Sequence, residues 1–198
     1  MRKLIVTEFM SLDGVFEAPG PDGSRFKYEG WTFPYMNEEF QKFKLAETMD
    51  SDALLLGRVT YEGFAKAWPG RTDEAGFADK FNSMPKYVVS KTLKKANWNN
   101  SHIINDNVAS EIQKLKKADG KAIVVHGSGT LARFLLENKL ADELTILVYP
   151  VVLGIGERLF ANMQKTDLKL VESKAFVTGV IALRYKPAPE SKQKNNSI

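Results

Sequence analysis

Residues 122–131 read Ala122-Ile123-Val124-Val125-His126-Gly127-Ser128-Gly129-Thr130-Leu131. Four consecutive apolar residues, three of them β-branched, make the short continuous run of a strand covered on both faces. The run stops at a glycine-hydroxyl-glycine turn. Leu131, Phe134 and Leu135 then recur at the spacing of one helix face. A buried strand that passes through glycines into a helix is the repeating unit of sheets with helices on both faces.

Two other stretches have the same construction. Leu54-Leu55-Leu56 runs into Gly57-Arg58-Val59-Thr60-Tyr61, with residues 60–67 helical in pattern, and Tyr87-Val88-Val89 runs into Ser90-Lys91-Thr92. In open α/β sheets ligands sit beyond the carboxyl ends of the strands. Glycine lets backbone approach closely, and a helix N-terminus offers unpaired N–H groups at the positive end of its dipole. Three such strand ends side by side would cradle phosphates. Taken singly each has a plain alternative: Gly57 can end a strand beside a solvated Arg58, Ser90-Lys91-Thr92 can be a polar turn, and Gly127-Ser128-Gly129 can be a loop. Their joint occurrence in the same element context is the specific signal.

The rest of the chain fits around these units. Residues 4–9 read as a first strand, followed by a long loop rich in turn formers that include Ser11, Asp13, Gly14, Pro19, Gly20, Pro21, Asp22 and Gly23. Asn37 caps a helix that begins with Glu38 and Glu39 and carries Phe40, Phe43, Leu45 and Ala46. Residues 102–104 form a short strand. Val108, Ile112 and Leu115 space a helix that ends near Asp119-Gly120. Residues 143–149 form a strand halted by Pro150, and residues 168–185 a pair of strands turning at Thr178-Gly179. The pattern predicts one α/β domain over residues 1–186: a single mixed, mostly parallel sheet flanked by helices, closed by a C-terminal antiparallel hairpin. Residues 187–198 are expected to be a polar, disordered tail.

Composition sets the outer bounds. Hydrophobic residues make up 43% of the chain and charged residues 26%, enough apolar surface for a core. A formal net charge of +4 with no clustered basic stripe argues against a nucleic-acid partner and is compatible with a small anion. There is no cysteine, so disulfides and thiolate chemistry are excluded. Two isolated histidines, His102 and His126, do not make a metal site, and none is expected. Glu8 interrupts the apolar N-terminal stretch, no run has the length of a membrane helix, and a cytoplasmic location is the default expectation.

The stretch 56–62 resembles the glycine-arginine-threonine-aromatic element of dihydrofolate reductases. Ser11-Leu12-Asp13-Gly14, Gly127 to Leu131, Leu140-Ala141-Asp142-Glu143-Leu144 and residues 150–160 resemble the C-terminal reductase domain of the bifunctional riboflavin-biosynthesis deaminase/reductase. The resemblance spans nearly all of residues 1–186 and identifies a stand-alone member of the dihydrofolate-reductase-like superfamily. It implies an eight-stranded mixed sheet and an NADPH cofactor. Gly57, Arg58 and Thr60 would meet cofactor phosphates, Ser90 and Lys91 the adenosine ribose, and Gly127, Ser128, Gly129, Thr130 and Leu131 the pyrophosphate. Arg58 and Lys91 would suit a 2′-phosphate.

The pattern departs from the family at two places. His126 stands where the riboflavin enzyme has an acidic residue, and Ser128 replaces a glycine. No carboxylate on the first helix (Glu38, Glu39, Glu47, Asp50) falls in a matching motif. Asp13 is then the candidate polar group near the reacting ring, or else a turn-forming residue before Gly14. Trp31 and Trp68 either line a pocket for a planar ring or belong to the core. The expected function is NADPH-dependent reduction of a small planar heterocycle, pyrimidine- or pteridine-like and akin to 5-amino-6-(5-phosphoribosylamino)uracil reduction. The alternative is a non-catalytic nucleotide- or ligand-binding protein on the same fold. The apolar residues of 143–160, read as an edge region, together with the resemblance, predict a homodimer.

Overall fold

The computed structural model describes residues 1–20 and 25–189. Eight strands form one sheet in the order β4-β3-β2-β5-β1-β6-β8-β7. They are β1 (Leu4–Ser11), β2 (Ser51–Gly57), β3 (Lys86–Val89), β4 (Ser101–Ile104), β5 (Ala122–Val125), β6 (Glu143–Tyr149), β7 (Leu168–Ala175) and β8 (Ile181–Pro187). β1 to β6 are mutually parallel, and β8 pairs antiparallel with both β6 and β7. The predicted mixed sheet with its closing hairpin is therefore the observed one. Gly179, at φ +85°, supplies the left-handed residue that the β7–β8 turn requires.

Side chains alternate across this sheet. Ala53 and Leu55 of β2 join Leu4, Val6, Ile123 and Val125 under α4 (Val108–Lys117) and α5 (Gly129–Glu137). Leu54 and Leu56 face the other way, with Val88 and Val124, against Tyr61 of α2 (Arg58–Ala67) and Phe81 of α3 (Phe77–Ser83). A third cluster gathers Phe40 of α1 (Glu38–Met49) with Trp31, Tyr149 and Phe176. Burial on both faces is what the apolar runs of β2 and β5 encode. Asn37 caps α1 as predicted, its side chain accepting from Phe40 N at 2.9 Å.

Three features differ from the sequence-based expectation. α3 was not foreseen; Asp73 accepts from the N–H groups of Gly76, Phe77 and Ala78, which starts a helix too short to show a period. Of the two readings given for the tryptophans the core one holds: Trp68 packs at 4.7 Å between ring centroids on Phe81, and Trp31 at 5.2 Å edge-on to Tyr149. β6 is not an edge: it lies between β1 and β8, with Leu144, Ile146, Leu147 and Tyr149 all buried. What the 143–160 region leaves exposed is Val152, Ile155 and Phe160, all beyond the strand. The expected domain boundary at 186 falls inside β8. Of the long loop's turn residues, 21–23 lie outside the described residues, as do residues 190–198 of the expected tail. Among the described residues no helix is long and apolar enough to cross a membrane.

Candidate functional site

β3, β2 and β5 are neighbours in the sheet, so the three strand ends singled out in the sequence meet at one edge. Gly57 is in register with Val89, which sets Ser90 beside Arg58. Gly57 N–H donates to the Gly127 carbonyl at 3.1 Å, joining the β2 and β5 ends directly. α2 and α5 start there, and neither Gly57 nor Ser128, their N-caps, makes a side-chain capping bond. Two helix N-termini of ten and nine residues thus present uncapped N–H groups to a common edge.

The glycines are required by close packing within the protein. A Cβ on Gly57 would overlap Ser128 Oγ and lie 3.0 Å from Ser128 N. One on Gly127, whose φ is +106°, would lie 2.8 Å from Thr60 Oγ1. One on Gly129 would run into the ring of Phe16. The first two glycines let the β2 and β5 loops interlock, and the third admits an aromatic ring from the loop after β1. Phe16 in turn carries the Arg133 guanidinium 5.9 Å from its centroid.

The remaining predicted residues fall around this interlock. Arg58 is exposed and pairs with Glu62 at 2.8 Å, one helical turn along α2. Ser90 Oγ accepts from the N–H groups of Thr92 and Leu93 at 3.2 and 2.9 Å, closing the turn after β3. Lys91 is exposed on that turn. Thr130 Oγ1 accepts from Arg133 at 3.3 Å, while the Leu131 side chain is buried in the core, leaving only its backbone towards the edge. Together these groups could hold a phosphate chain by N–H donors and helix dipoles, with cations on the β3 side.

Asp13 has a different setting. Its carboxylate accepts from Ser11 Oγ at 2.7 Å, Leu153 N at 3.1 Å and Gly154 N at 2.9 Å. The Ser11 hydroxyl, aided by those two N–H groups, holds the carboxyl down at about 2. Arg158 Nε donates to the Asp13 carbonyl at 3.1 Å, so Arg158 ties two loops together. Asp13 lies among these backbone donors, apart from the β2–β5 interlock. On α1, Glu38, Glu39 and Glu47 are ion-paired with Lys42, Lys174 and Lys44.

Sequence reasoning passed over Glu8. It lies in mid-β1, 7% exposed, and its Oε1 is closed to solvent with no hydrogen-bond partner. Burial pushes its carboxyl up to about 8, against a smaller downward pull from Lys44. Two other buried polar atoms at this end of the sheet also have no partner: His126 Nε2, just past β5, and the Tyr149 hydroxyl at the end of β6. Burial, helped by Lys44, holds His126 well below its ordinary value and so neutral. A glutamate inside an otherwise apolar parallel strand was the available signal. Among the described residues no cluster of histidines and carboxylates could hold a metal ion.

The sequence pattern of the RibD C-terminal domain family matches residues 2–182. The uncharacterized protein YyaP of Bacillus subtilis (strain 168) is 31% identical over 188 residues, which cover 93% of this chain and 94% of YyaP. Two solved structures share the fold. One, from Shewanella sp. PV-4 and provisionally named a riboflavin biosynthesis protein, gives a TM-score of 0.72 at 18% identity, covering 94% of this chain and 99% of that one. The other, dihydrofolate reductase from Enterococcus faecalis complexed with NADP(H) and RAB-propyl, gives 0.62 at 15% identity, covering 94% and 97%. The architecture is dihydrofolate-reductase-like.

Proposed function

The chain belongs to the RibD C-terminal domain family, and from that membership we propose that it is an NADPH-dependent reductase of a small planar heterocycle. The observation that carries the reading is the interlock of Gly57 with Gly127, which brings two uncapped helix N-termini to one edge. Among the folds to which this chain is similar, the Enterococcus faecalis enzyme holds NADP(H). The chain's own residues fit the cofactor: two uncapped helix N-termini at the joined β2 and β5 ends, with the exposed cations Arg58 and Lys91 on the β3 flank.

In this reading the backbone N–H groups of residues 129–131 and the start of α2 hold the pyrophosphate, and Gly57 and Thr60 shape that seat. Arg58 and Lys91 meet the 2′-phosphate, with Ser90 ordering the turn that carries Lys91. Bound there, NADPH supplies a hydride, and the protein's part is to orient ring and substrate and to keep water away. Asp13 bonds the 150–158 loop to the end of β1 and so shapes the substrate side. The substrate is a pyrimidine- or pteridine-like ring, which sets the protein near riboflavin biosynthesis, and the enzyme works in the cytoplasm as a homodimer.

The test is titration of the purified protein with NADPH and NADH, followed by a screen of NADPH oxidation over heterocycles. Lys91→Ala is expected to weaken NADPH about tenfold, the worth of one charge-assisted contact, and to leave NADH nearly unchanged. Equal losses for the two cofactors would remove Lys91 from the 2′-phosphate. The ion-paired carboxylates of α1 favour a second reading, a binding protein without turnover. Tight NADPH binding with no oxidation of any heterocycle would select it.

A further inference from the structure

α5 turns Leu131, Ala132, Leu135 and Leu136 into the core and leaves Arg133, Phe134 and Glu137 on its outer side. The loop after β6 passes along that side. Between helix and loop runs an open cleft of about 710 Å³, with Arg133 and Glu137 on the helix wall and Glu157 and Arg158 on the loop wall. Both walls are held in place. Arg133 donates to the carbonyls of Arg158 and Leu159 at 3.3 and 3.2 Å, which ties the loop to the helix. Arg158 is fixed by its Nε bond to the Asp13 carbonyl and by a β-bridge to Val15.

These four charges are unmatched within the chain. Among the described residues, Arg133 and Arg158 donate only to carbonyl and hydroxyl oxygens, and neither they nor Glu137 and Glu157 form an ion pair. The exposed arginines Arg58 and Arg184, by contrast, each have a glutamate, at 2.8 and 3.0 Å. A guanidinium held by neutral oxygens keeps its whole charge. The cleft therefore carries positive and negative groups in equal number.

That balance says what the cleft suits. A small anion would meet two carboxylates along with the two arginines and gain little. A wholly acidic or wholly basic partner would be repelled by half of the groups. A surface with the same alternation satisfies all four, and a two-fold axis supplies one, since what each copy presents the other receives. An apolar middle is also there. Ile155 and Phe160 of the loop are 50% and 40% exposed, and Phe134 is half-buried on the helix wall.

We propose that this cleft is the two-fold interface of a homodimer, the 155–160 loop of each copy lying in the cleft of the other. The inference rests on the homodimer reading above and gives it a place on the surface. Arg158 then meets the second copy's Glu137, and Glu157 the second copy's Arg133. Symmetry makes these four charge pairs around an apolar centre. Thr130, in the first turn of α5, lines the same cleft, so the contact lies beside the seat proposed for the pyrophosphate.

The experiment is sedimentation equilibrium of wild type, Glu137→Arg and the exchange variant Glu137→Arg/Arg158→Glu, each checked for folding by near-ultraviolet circular dichroism. Glu137→Arg sets like charges together at two symmetric places and is expected to raise the dimer dissociation constant about a hundredfold. The exchange variant reverses both members of the pair and is expected to return to within about tenfold of wild type. A folded Glu137→Arg that dimerises as wild type does overturns the inference, as does a folded exchange variant no tighter than Glu137→Arg. Should the exchange variant fail to fold, because Arg158 is lost from Asp13, Glu157→Arg takes its place. It is expected to weaken the dimer as Glu137→Arg does, and unchanged dimerisation overturns the inference. A wild type that sediments as a single 22.2 kDa chain overturns the homodimer reading itself, and the inference with it.

Discussion

The proton on Glu8 is a stability term. Its carboxyl is raised to about 8 in the folded protein, from 4.5 in an exposed chain. A raised value means that the folded state holds a proton which the unfolded chain releases. The contribution is complete below the unfolded value and is lost as pH rises to about 8. His126 acts with the opposite sign: its value is depressed, so it costs stability only as pH falls below its ordinary 6.5. Above that pH Glu8 can be read alone. Between about pH 6.5 and 8.5 the wild type is expected to lose on the order of 2 kcal/mol relative to Glu8→Gln, measured by urea denaturation. Parallel curves for the two proteins would show that Glu8 ionises as an ordinary glutamate. Asp13 behaves in the reverse sense, since its hydrogen bonds favour the charged form.

At the scale of elements, the interlock of the β2 and β5 ends depends on the missing side chain at Gly57. Gly57→Ala would drive a Cβ into Ser128 Oγ, with the Ser128 backbone N only 3.0 Å away. Overpacking of this kind costs about 1–3 kcal/mol. The double variant Gly57→Ala/Ser128→Gly removes the hydroxyl and is expected to recover part of that loss, read as the shift in denaturation midpoint. No recovery would mean that the backbone contact dominates. The elements themselves were largely legible: β2 and β5 hold continuous apolar runs, β1 and β6 are mainly apolar, and α1 carries its cap in Asn37. α3 was not legible, because its seven residues are held by an aspartate four residues upstream and by aromatic packing, neither of which leaves a period.

For the whole molecule, the sheet's outer edges are β4 and β7, and β7 is exposed along most of its length. Near the β1 and β6 ends, Leu12, Val152 and Ile155 are at least half exposed, a set of large apolar side chains close to the proposed substrate side. Burying them against a second copy would remove an aggregation liability. The homodimer predicts a light-scattering mass twice the 22.2 kDa of one chain at micromolar concentration. Val152→Asp with Ile155→Asp is then expected to yield the single-chain mass without unfolding. A wild-type mass of one chain would refute the dimer and leave the reductase reading standing.

By itself the sequence determined the local terms: which runs are buried strands, where the chain must turn, and that three strand ends carry glycine, hydroxyl and cationic groups. These depend on side-chain periodicity and backbone sterics over a few residues, which any reader of the chain can apply. It also placed Gly57, Gly127 and Gly129 at positions where a Cβ is costly, although for phosphate approach and not for the packing against Ser128, Thr60 and Phe16 that the fold reveals. Only the tertiary structure decided that β5 inserts between β2 and β1, and with that the meeting of Gly57 and Gly127. It alone decided that Asp13 is taken up by the 150–158 loop while Glu8 is left unpaired. The physical reason is that strand order and the partners of a buried carboxyl are set by long-range packing, and no spacing along the chain encodes how many hydrogen bonds a distant loop will offer.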